Sequence, residues 1–368
     1  METSKSTSGV ERGLAAIILA AGRSTRMKTD QPKVMHNLCG QPMLSHVLAA
    51  CREAGIQECY VVVGFGKDLI IKTYDQMPGI HFVEQPEQKG SGHAVSMCSE
   101  TLKGFTGDVV VIAGDMPMIR SETLKTLTHS HRAAGATASI ATTILDDPTG
   151  YGRIVRDAND NFERIVEHRD CSAEQLKIRE VNPSYYCFDA QALFEALPKI
   201  KPDNAKGEYY ITDALEIIRD LGKTVRAATS VPAVDAVGIN SRSDLAEVAK
   251  LMQKRIQSRW MDEGVSLVDP DTTWIDSRAQ IGPDTLIKPF SYIEGSARVG
   301  RNCTIGPYAY LADGAVVEDD STVGPGVLNA FDATKNPRNH SNPTSKRAAP
   351  VVRQPPATTG CAQGGGSC

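Results

Sequence analysis

No run of apolar residues in this 368-residue sequence approaches the roughly 20 positions that a membrane-spanning helix needs, which argues against a helical span. The first dozen residues, METSKSTSGVER, also lack the apolar segment of a secretory signal. The nine cysteines are scattered, odd in number and without CxxC spacing. A disulfide scaffold or zinc site is therefore not expected, and a reduced, cytoplasmic protein is. The net charge is only −4, so no global field attracts nucleic acid or an anionic membrane, and phosphate recognition has to be local. What remains is a soluble globular composition in a chain long enough for two or more domains.

The most informative stretch runs from Leu19 to Lys33, LAAGRSTRMKTDQPK. An apolar run from Leu14 to Ala20 enters a turn at Gly22, and the small or cationic residues Arg23, Ser24, Thr25 and Arg26 follow, then Lys33. A strand ending in a glycine turn offers unpaired N–H groups to an anion, and Arg and Lys supply charge. Such a turn alone is equally compatible with an ordinary strand-to-helix connection.

From Leu14 to about Asn240, β-rich runs alternate with helical stretches, which argues for an α/β domain with a mostly parallel sheet. Strands are expected at 15–19, 59–63, 80–83 and 108–113. Helices are expected from Pro42 to Gly55, from His93 to Leu102, and from 121 to 135 with Ser121 as N-cap. Strand-like pieces at 138–143, 154–156 and 185–188 read as an insertion closing over the sheet edge. Ligands of open α/β sheets sit beyond the carboxyl ends of strands, which brings the Gly22 loop and Asp115 toward one ligand. Residues 244–260 carry Leu245, Val248, Leu251, Met252 and Ile256 on one face and read as a helical connector.

A strict repeat follows. Ile275, Ile281, Ile287, Ile293, Val299, Ile305, Leu311, Val317 and Val323 stand six apart, each preceded two places earlier by a small or short residue. Hexapeptide periodicity is the signature of a β-helix: each hexapeptide makes one side of a prism, with its aliphatic residue pointing inward. Beyond Gly326 the pattern stops, and residues 329–368, rich in Asn, Pro, Thr and Gly, read as a disordered tail.

Several motifs together carry a resemblance. Besides LAAGRSTRM and Pro32-Lys33 they are EQPEQKGSGHA (84–94), AGD (113–115), DPTGYGRI (147–154), IVEHRD (165–170), GEYYITD (207–213) and GIN (238–240). Over residues 13 to 326 the chain resembles the bifunctional N-acetylglucosamine-1-phosphate uridylyltransferase/glucosamine-1-phosphate acetyltransferase family. The fold class implied is α/β: a Rossmann-like nucleotidyltransferase domain (13–240) and a helical linker (241–264), then a short left-handed parallel β-helix of hexapeptide repeats (265–328). Residues 1–12 are expected to be disordered.

The resemblance implies a Mg²⁺-dependent synthesis of UDP-N-acetylglucosamine from UTP and N-acetylglucosamine 1-phosphate, with a role for each matched residue. Leu19, Ala20, Ala21 and Gly22 wrap the nucleotide, as do Ala113 and Gly114. Arg26 and Lys33 neutralise phosphates and act as the catalytic cations. Gln85, Gly90 and Ser91 read uracil, Asp115 and Asn240 hold the metal, and Gly152, Glu167 and Asn182 bind the sugar. No general base is needed, because a sugar 1-phosphate is already an ionised nucleophile and the reaction is one of alignment and charge neutralisation.

Three positions depart from the family pattern: Ala113 replaces a frequent Tyr, Ser91 replaces Thr, and Pro183-Ser184 follows Asn182 in place of Thr-Gly. In the family the acetyl-transfer site and its His lie in later coils, and the only later His here is His340. The second domain is therefore expected to act in assembly, as a homotrimer, with no nucleic-acid or membrane partner. The competing readings are a nucleotidyltransferase for another sugar or base, a bifunctional enzyme that also acetylates, and a non-catalytic scaffold that binds sugar nucleotides.

Overall fold

The computed structural model describes residues 12–328. The tail at 329–368, His340 and residues 1–11 lie outside them. Arg12, expected within a disordered lead, forms ion pairs with Asp189 (2.6 Å) and Asp108 (3.2 Å).

The strands of the first unit are β1 (Gly13–Leu19), β2 (Asn37–Leu38), β3 (Gln41–Pro42), β4 (Glu58–Val63), β5 (Ile80–Glu84), β6 (Gly107–Ala113), β7 (Ala138–Ile144), β8 (Gly152–Arg156), β9 (Phe162–Val166), β10 (Glu180–Asp189) and β11 (Val225–Thr229). Its helices are α1 (Met43–Glu53), α2 (Lys67–Tyr74), α3 (Ser91–Ser96), α4 (Ser121–Ala133), α5 (Ala190–Ala196) and α6 (Thr212–Asp220). The sheet order is β11-β7-β10-β6-β1-β4-β5. All neighbours on this path run parallel except the pairs that β10 makes with β6 and β7.

This corrects the sequence reading of 138–188. β7 and β10 are integral strands of the main sheet, and only the β8–β9 hairpin stands off its path. The run Val109–Ile112 is fully buried on both faces of the sheet, as expected for a central strand covered on both sides. Helices α1 and α4 pack on one face, and α5 and α6 on the other.

Two helix ends differ from expectation. Arg120, not Ser121, occupies the cap of α4 without a side-chain cap bond, whereas Gly135 ends that helix at φ +56° as its sequence position suggests. The helix expected at 93–102 starts at Ser91 and gives way to turns after Ser96.

Helix α7 (Arg242–Asp262) opens with a capping box in which Ser241 and Asp244 bond reciprocally. It does more than connect. Val248, Met252, Ile256 and Trp260 form one apolar cluster with the first coils of the β-helix and with Leu38, Met43 and Met118 of the first unit. Two buried glutamines finish the contact. Gln253 donates to the Ile275 carbonyl (2.6 Å) and accepts from its N–H (3.0 Å), while Gln257 donates to the carbonyls of Thr273 and Pro270. The lowest coil has no strand beneath it, and these amides supply the partners that a strand would have given.

The β-helix strands are β12 (Ser266–Leu267), β13 (Trp274–Ile275), β14 (Gln280–Ile281), β15 (Leu286–Ile287), β16 (Tyr292–Ile293), β17 (Arg298–Val299), β18 (Thr304–Ile305), β19 (Ala309–Leu311), β20 (Val316–Val317), β21 (Thr322–Val323) and β22 (Gly326–Leu328). They stack as three parallel sheets, β12-β15-β18-β21, β13-β16-β19-β22 and β14-β17-β20. The six-spaced aliphatic residues from Ile275 to Val317 are buried, as are the small residues two places before each. The repeat also runs on past Gly326: Leu328 pairs with Leu311, one residue short of the 18 that separate Ile293 from Leu311. That slip hid the last strand from a strict six-residue count. No helix among the described residues is long and apolar enough to cross a membrane.

Candidate active site

Four parallel strands set the site. Leu19 of β1 lies beside Ala113 of β6 and Val62 of β4, and Val63 lies beside Glu84 of β5, so the loops after all four strands leave one sheet edge. Backbone bonds lock them together: Gly114 N–H to the Leu19 carbonyl (2.9 Å), Phe65 N–H to that of Ala21 (3.2 Å) and Gln85 N–H to that of Val63 (2.8 Å). Between them opens a cleft of about 430 Å³. Leu19, Ala20, Ala21, Gly22, Arg26, Lys33, Gln85, Gly90, Ser91, Ala113 and Asp115 all line it. Gly114 stands behind, where a Cβ would lie 3.0 Å from the Leu19 carbonyl oxygen. Gly22 has an ordinary backbone and nothing within 4 Å of a built Cβ, so its small size keeps the cleft open rather than relieving strain.

One end of the cleft is cationic. The Lys33 ammonium forms an ion pair with Asp115 and donates to the Asn240 side-chain oxygen at 3.2 Å. Arg26 donates to that same oxygen at 2.8 Å. Asn240 is held in turn by its N–H bond to Asp244 (2.8 Å) at the start of α7. Residues 26, 33, 115 and 240, far apart in sequence, thus meet in one cluster.

The Gln85–Ser91 loop lines another part of the cleft with polar side chains. Gln85 is 3% exposed, and its amide nitrogen lies 3.1 Å from the Gly90 carbonyl and 3.0 Å from His93 Nδ1. With both amide hydrogens so engaged, its carbonyl oxygen is left to accept from a ligand. Ser91 Oγ accepts from the Ile211 N–H (3.0 Å), which leaves its hydroxyl hydrogen free to donate. Gly90 sits at φ +111°, ψ 174°, a conformation essentially confined to glycine.

Gly152, Glu167 and Asn182 form a separate group beside this cleft. Gly152 pairs with Asn182 across β8 and β10, and a Cβ on it would lie 3.3 Å from Glu167 Oε1 and 2.9 Å from Ile165. Burial, reinforced by the charges of Asp170 and Glu208 and opposed by Lys206, raises the Glu167 carboxyl above the usual range. Asn182 donates to the Tyr186 hydroxyl (2.7 Å) and accepts from the Ser184 N–H (2.8 Å). The unusual Pro183-Ser184 pair forms a bulge, with Ser184 at φ +65° and a break in the β10–β7 register.

The segment 208–213 belongs to the GEYYITD motif, to which the sequence reading gave no site residue, and it joins the two groups. Glu208 lines the cleft, Tyr209 N–H donates to the Lys89 carbonyl (2.8 Å), and Ile211 holds Ser91. Thr212 is buried with a hydroxyl that has no partner among the described residues. Asp213, raised to about 6 by burial and by the charges of Glu216 and Glu167, is electrostatically linked to the Glu167 group. The GEYYITD motif itself, with its acidic residues flanking a helix start, was the available signal. Among the described residues no three His, Cys, Asp or Glu side chains cluster as a metal site, so a metal here would rest on few protein ligands.

An open α/β sheet with a cationic and polar cleft beyond the carboxyl ends of its strands is the arrangement in which doubly wound α/β domains bind nucleotides. The chain belongs to the MobA-like NTP transferase domain family, whose model matches residues 16–209, and the bacterial transferase hexapeptide model matches 278–312 and 296–328. The chain is 44% identical over 274 residues to the "Bifunctional protein GlmU" of Clostridium botulinum and 45% over 275 residues to that of Clostridium tetani. Each match takes in 74% of this chain and 60% of the relative. A third, from Pelotomaculum thermopropionicum, is 44% identical over 278 residues, 76% of this chain and 60% of the relative. The chain therefore spans about 60% of the length of the curated relatives it matches. A crystal structure of UDP-glucose pyrophosphorylase complexed with UDP-glucose superposes with a TM-score of 0.55 at 21% identity, over 67% of this chain and 100% of that one, a likeness of fold alone.

Proposed function

We propose that the protein is a Mg²⁺-dependent uridylyltransferase that converts UTP and N-acetylglucosamine 1-phosphate into UDP-N-acetylglucosamine and pyrophosphate. The observation that carries this reading is the two-ended cleft, with Arg26, Lys33, Asp115 and Asn240 at one end and the Gln85–Gly90–Ser91 loop at the other. Its pairing of cations with a polar loop suits a nucleoside triphosphate whose phosphates lie on the cations and whose base lies in the loop.

The Gln85 carbonyl can accept the N3–H of uracil, and Ser91 can donate to a ring carbonyl. Cytosine carries an acceptor at N3 and would set two acceptors face to face, which supports a uracil-type base. Leu19–Gly22 and Ala113–Gly114 offer backbone to the nucleotide. Gly152, Glu167 and Asn182 take the sugar, whose amide and hydroxyl donors suit a buried carboxyl group.

In the reaction a phosphate oxygen of the sugar phosphate bonds to the α-phosphorus. The bond from that phosphorus to the bridging oxygen breaks, and pyrophosphate leaves. Arg26 binds two phosphate oxygens in its fork, and Lys33 neutralises charge on the same group. The donor set fits Mg²⁺: Asp115 and Asn240 offer a carboxylate and an amide oxygen, both already facing a cation, and Mg²⁺ takes one or two such ligands with phosphate and water. When bound, the ion supplies further charge neutralisation at the phosphates.

The outward residues of one β-helix sheet support assembly through that face. Trp274 and Tyr292 stack with ring centroids 6.2 Å apart, Tyr310 continues the row, and Val327 beyond it is 60% exposed. Phe290 and Tyr308 stack at the neighbouring corner, 53% and 62% exposed. An aromatic band of this kind favours a contact between copies, and we assign a homotrimer, checked by light scattering of the purified chain. The seven cysteines among the described residues are all free, which fits a cytoplasmic setting.

The test is pyrophosphate release that depends on UTP, on N-acetylglucosamine 1-phosphate and on Mg²⁺. Asp115→Ala should lower turnover at least ~100-fold, and turnover left intact would remove the metal assignment.

A further inference from the structure

The two oxygens assigned to the metal are both in use in the free protein. The Lys33 ammonium, only 15% exposed, sits against the Asp115 carboxylate and bonds the Asn240 amide oxygen at 3.2 Å, and Arg26 takes the other lone pair of that oxygen at 2.8 Å. Lys33 is placed by a tight turn rather than by a free loop. It begins a 3₁₀ turn (Lys33–Met35) capped by Pro32, with Met35 N–H bonded to the Pro32 carbonyl and His36 N–H to that of Lys33. Val34 and Met35 are buried beneath it.

From this arrangement we infer that Lys33 is the resident cation of the Asp115–Asn240 pair and excludes a divalent ion until a triphosphate enters. The inference rests on the reading of Asp115 and Asn240 as the metal pair. A bare divalent ion would have to displace the ammonium while lying close to two positive side chains, Lys33 and Arg26, with Asp115 as the one carboxylate among the four clustered groups. A nucleoside triphosphate reverses that balance. Its phosphates draw Lys33 and Arg26 toward themselves, free both oxygens, and bring their own oxygens as ligands. The metal therefore arrives with the nucleotide, and the free protein binds it poorly by construction.

The experiment is a Mn²⁺ titration of the full chain, read by the electron paramagnetic resonance signal of unbound Mn²⁺. Without nucleotide, Lys33→Met should bind Mn²⁺ at least tenfold more tightly than the natural protein, and Lys33→Gln, which keeps hydrogen-bonding groups without the charge, should show the same direction. Adding Asp115→Asn to Lys33→Met should abolish the gain. Equal affinity of the natural protein and both Lys33 variants, all folded by circular dichroism, would overturn the inference. A parallel titration with UTP, taken as the difference from a protein-free UTP titration because UTP itself binds Mn²⁺, separates the two levels. If UTP-dependent Mn²⁺ uptake by the natural protein is present and lost in Asp115→Asn, the metal pair stands and only the Lys33 inference falls. If that uptake is absent, both fall.

Discussion

Replacing Gly90 by alanine tests the end of the cleft formed by Gln85, Gly90 and Ser91, which we assign to the base. At φ +111° and ψ 174° a side chain is strained by about 1–3 kcal/mol. The new Cβ would lie 2.5 Å from the Tyr209 carbonyl oxygen and 2.8 Å from its nitrogen, both backbone atoms that cannot swing aside. Relief requires the 89–92 loop to move off residue 209. That breaks the bonds from Gly92 N–H to the Tyr209 carbonyl (2.7 Å) and from Tyr209 N–H to the Lys89 carbonyl (2.8 Å), at about 0.5–1.5 kcal/mol each. The total is about 2–6 kcal/mol, which corresponds to roughly 5–20 °C of melting temperature for a domain of this size. Local detachment of the loop would instead appear as a raised KM for UTP, tenfold for every ~1.4 kcal/mol. Gly22→Ala is the control: it meets nothing within 4 Å and should leave the melting temperature unchanged. Thermal unfolding with and without UTP, together with KM, decides the matter. Gly90→Ala with both quantities unchanged would refute the reasoning.

Two further predictions concern stability. Asp213 is lifted to about 6 by burial and by neighbouring Glu216 and Glu167, so between about pH 4 and 6 the folded state binds the extra proton. Stability is then lost as pH rises through that window. Asp213→Asn should gain about 1–2 kcal/mol at pH 7.5 and nothing at pH 4, a full two-unit shift being discounted for partial exposure; denaturant unfolding at both pH values checks it. Gln253→Ala leaves the N–H and carbonyl of Ile275 buried without partners and should cost about 2–5 kcal/mol, read as loss of the junction between α7 and the β-helix in hydrogen exchange at Ile275.

What could be read from the sequence followed the range of the signal. The hexapeptide repeat was legible because every coil restates it, and it failed only at Leu328, where one residue is missing from the period. The loops at Gly22 and Asp115 were legible because parallel strands deliver their ends to one edge. The place of β10 between β6 and β7 was not, since antiparallel insertion depends on partners over 40 residues away, such as Ile140 beside Tyr186. Nor was the hold of His93 on Gln85, which fixes which amide atom faces the cleft. Gln253 and Gln257 lie on a helix face that hydrophobic periodicity alone would leave to solvent, yet both are buried on the first coil. The Lys33–Asp115 ion pair joins two motifs that sequence could name but not bring into contact.

The most direct test of the central claim is kcat/KM for pyrophosphate release with UTP, measured side by side for N-acetylglucosamine 1-phosphate and glucose 1-phosphate. The account predicts a clear preference for the N-acetylated sugar, at least tenfold, because the Gly152–Glu167–Asn182 group is assigned to it. Equal turnover of the two sugars would contradict it.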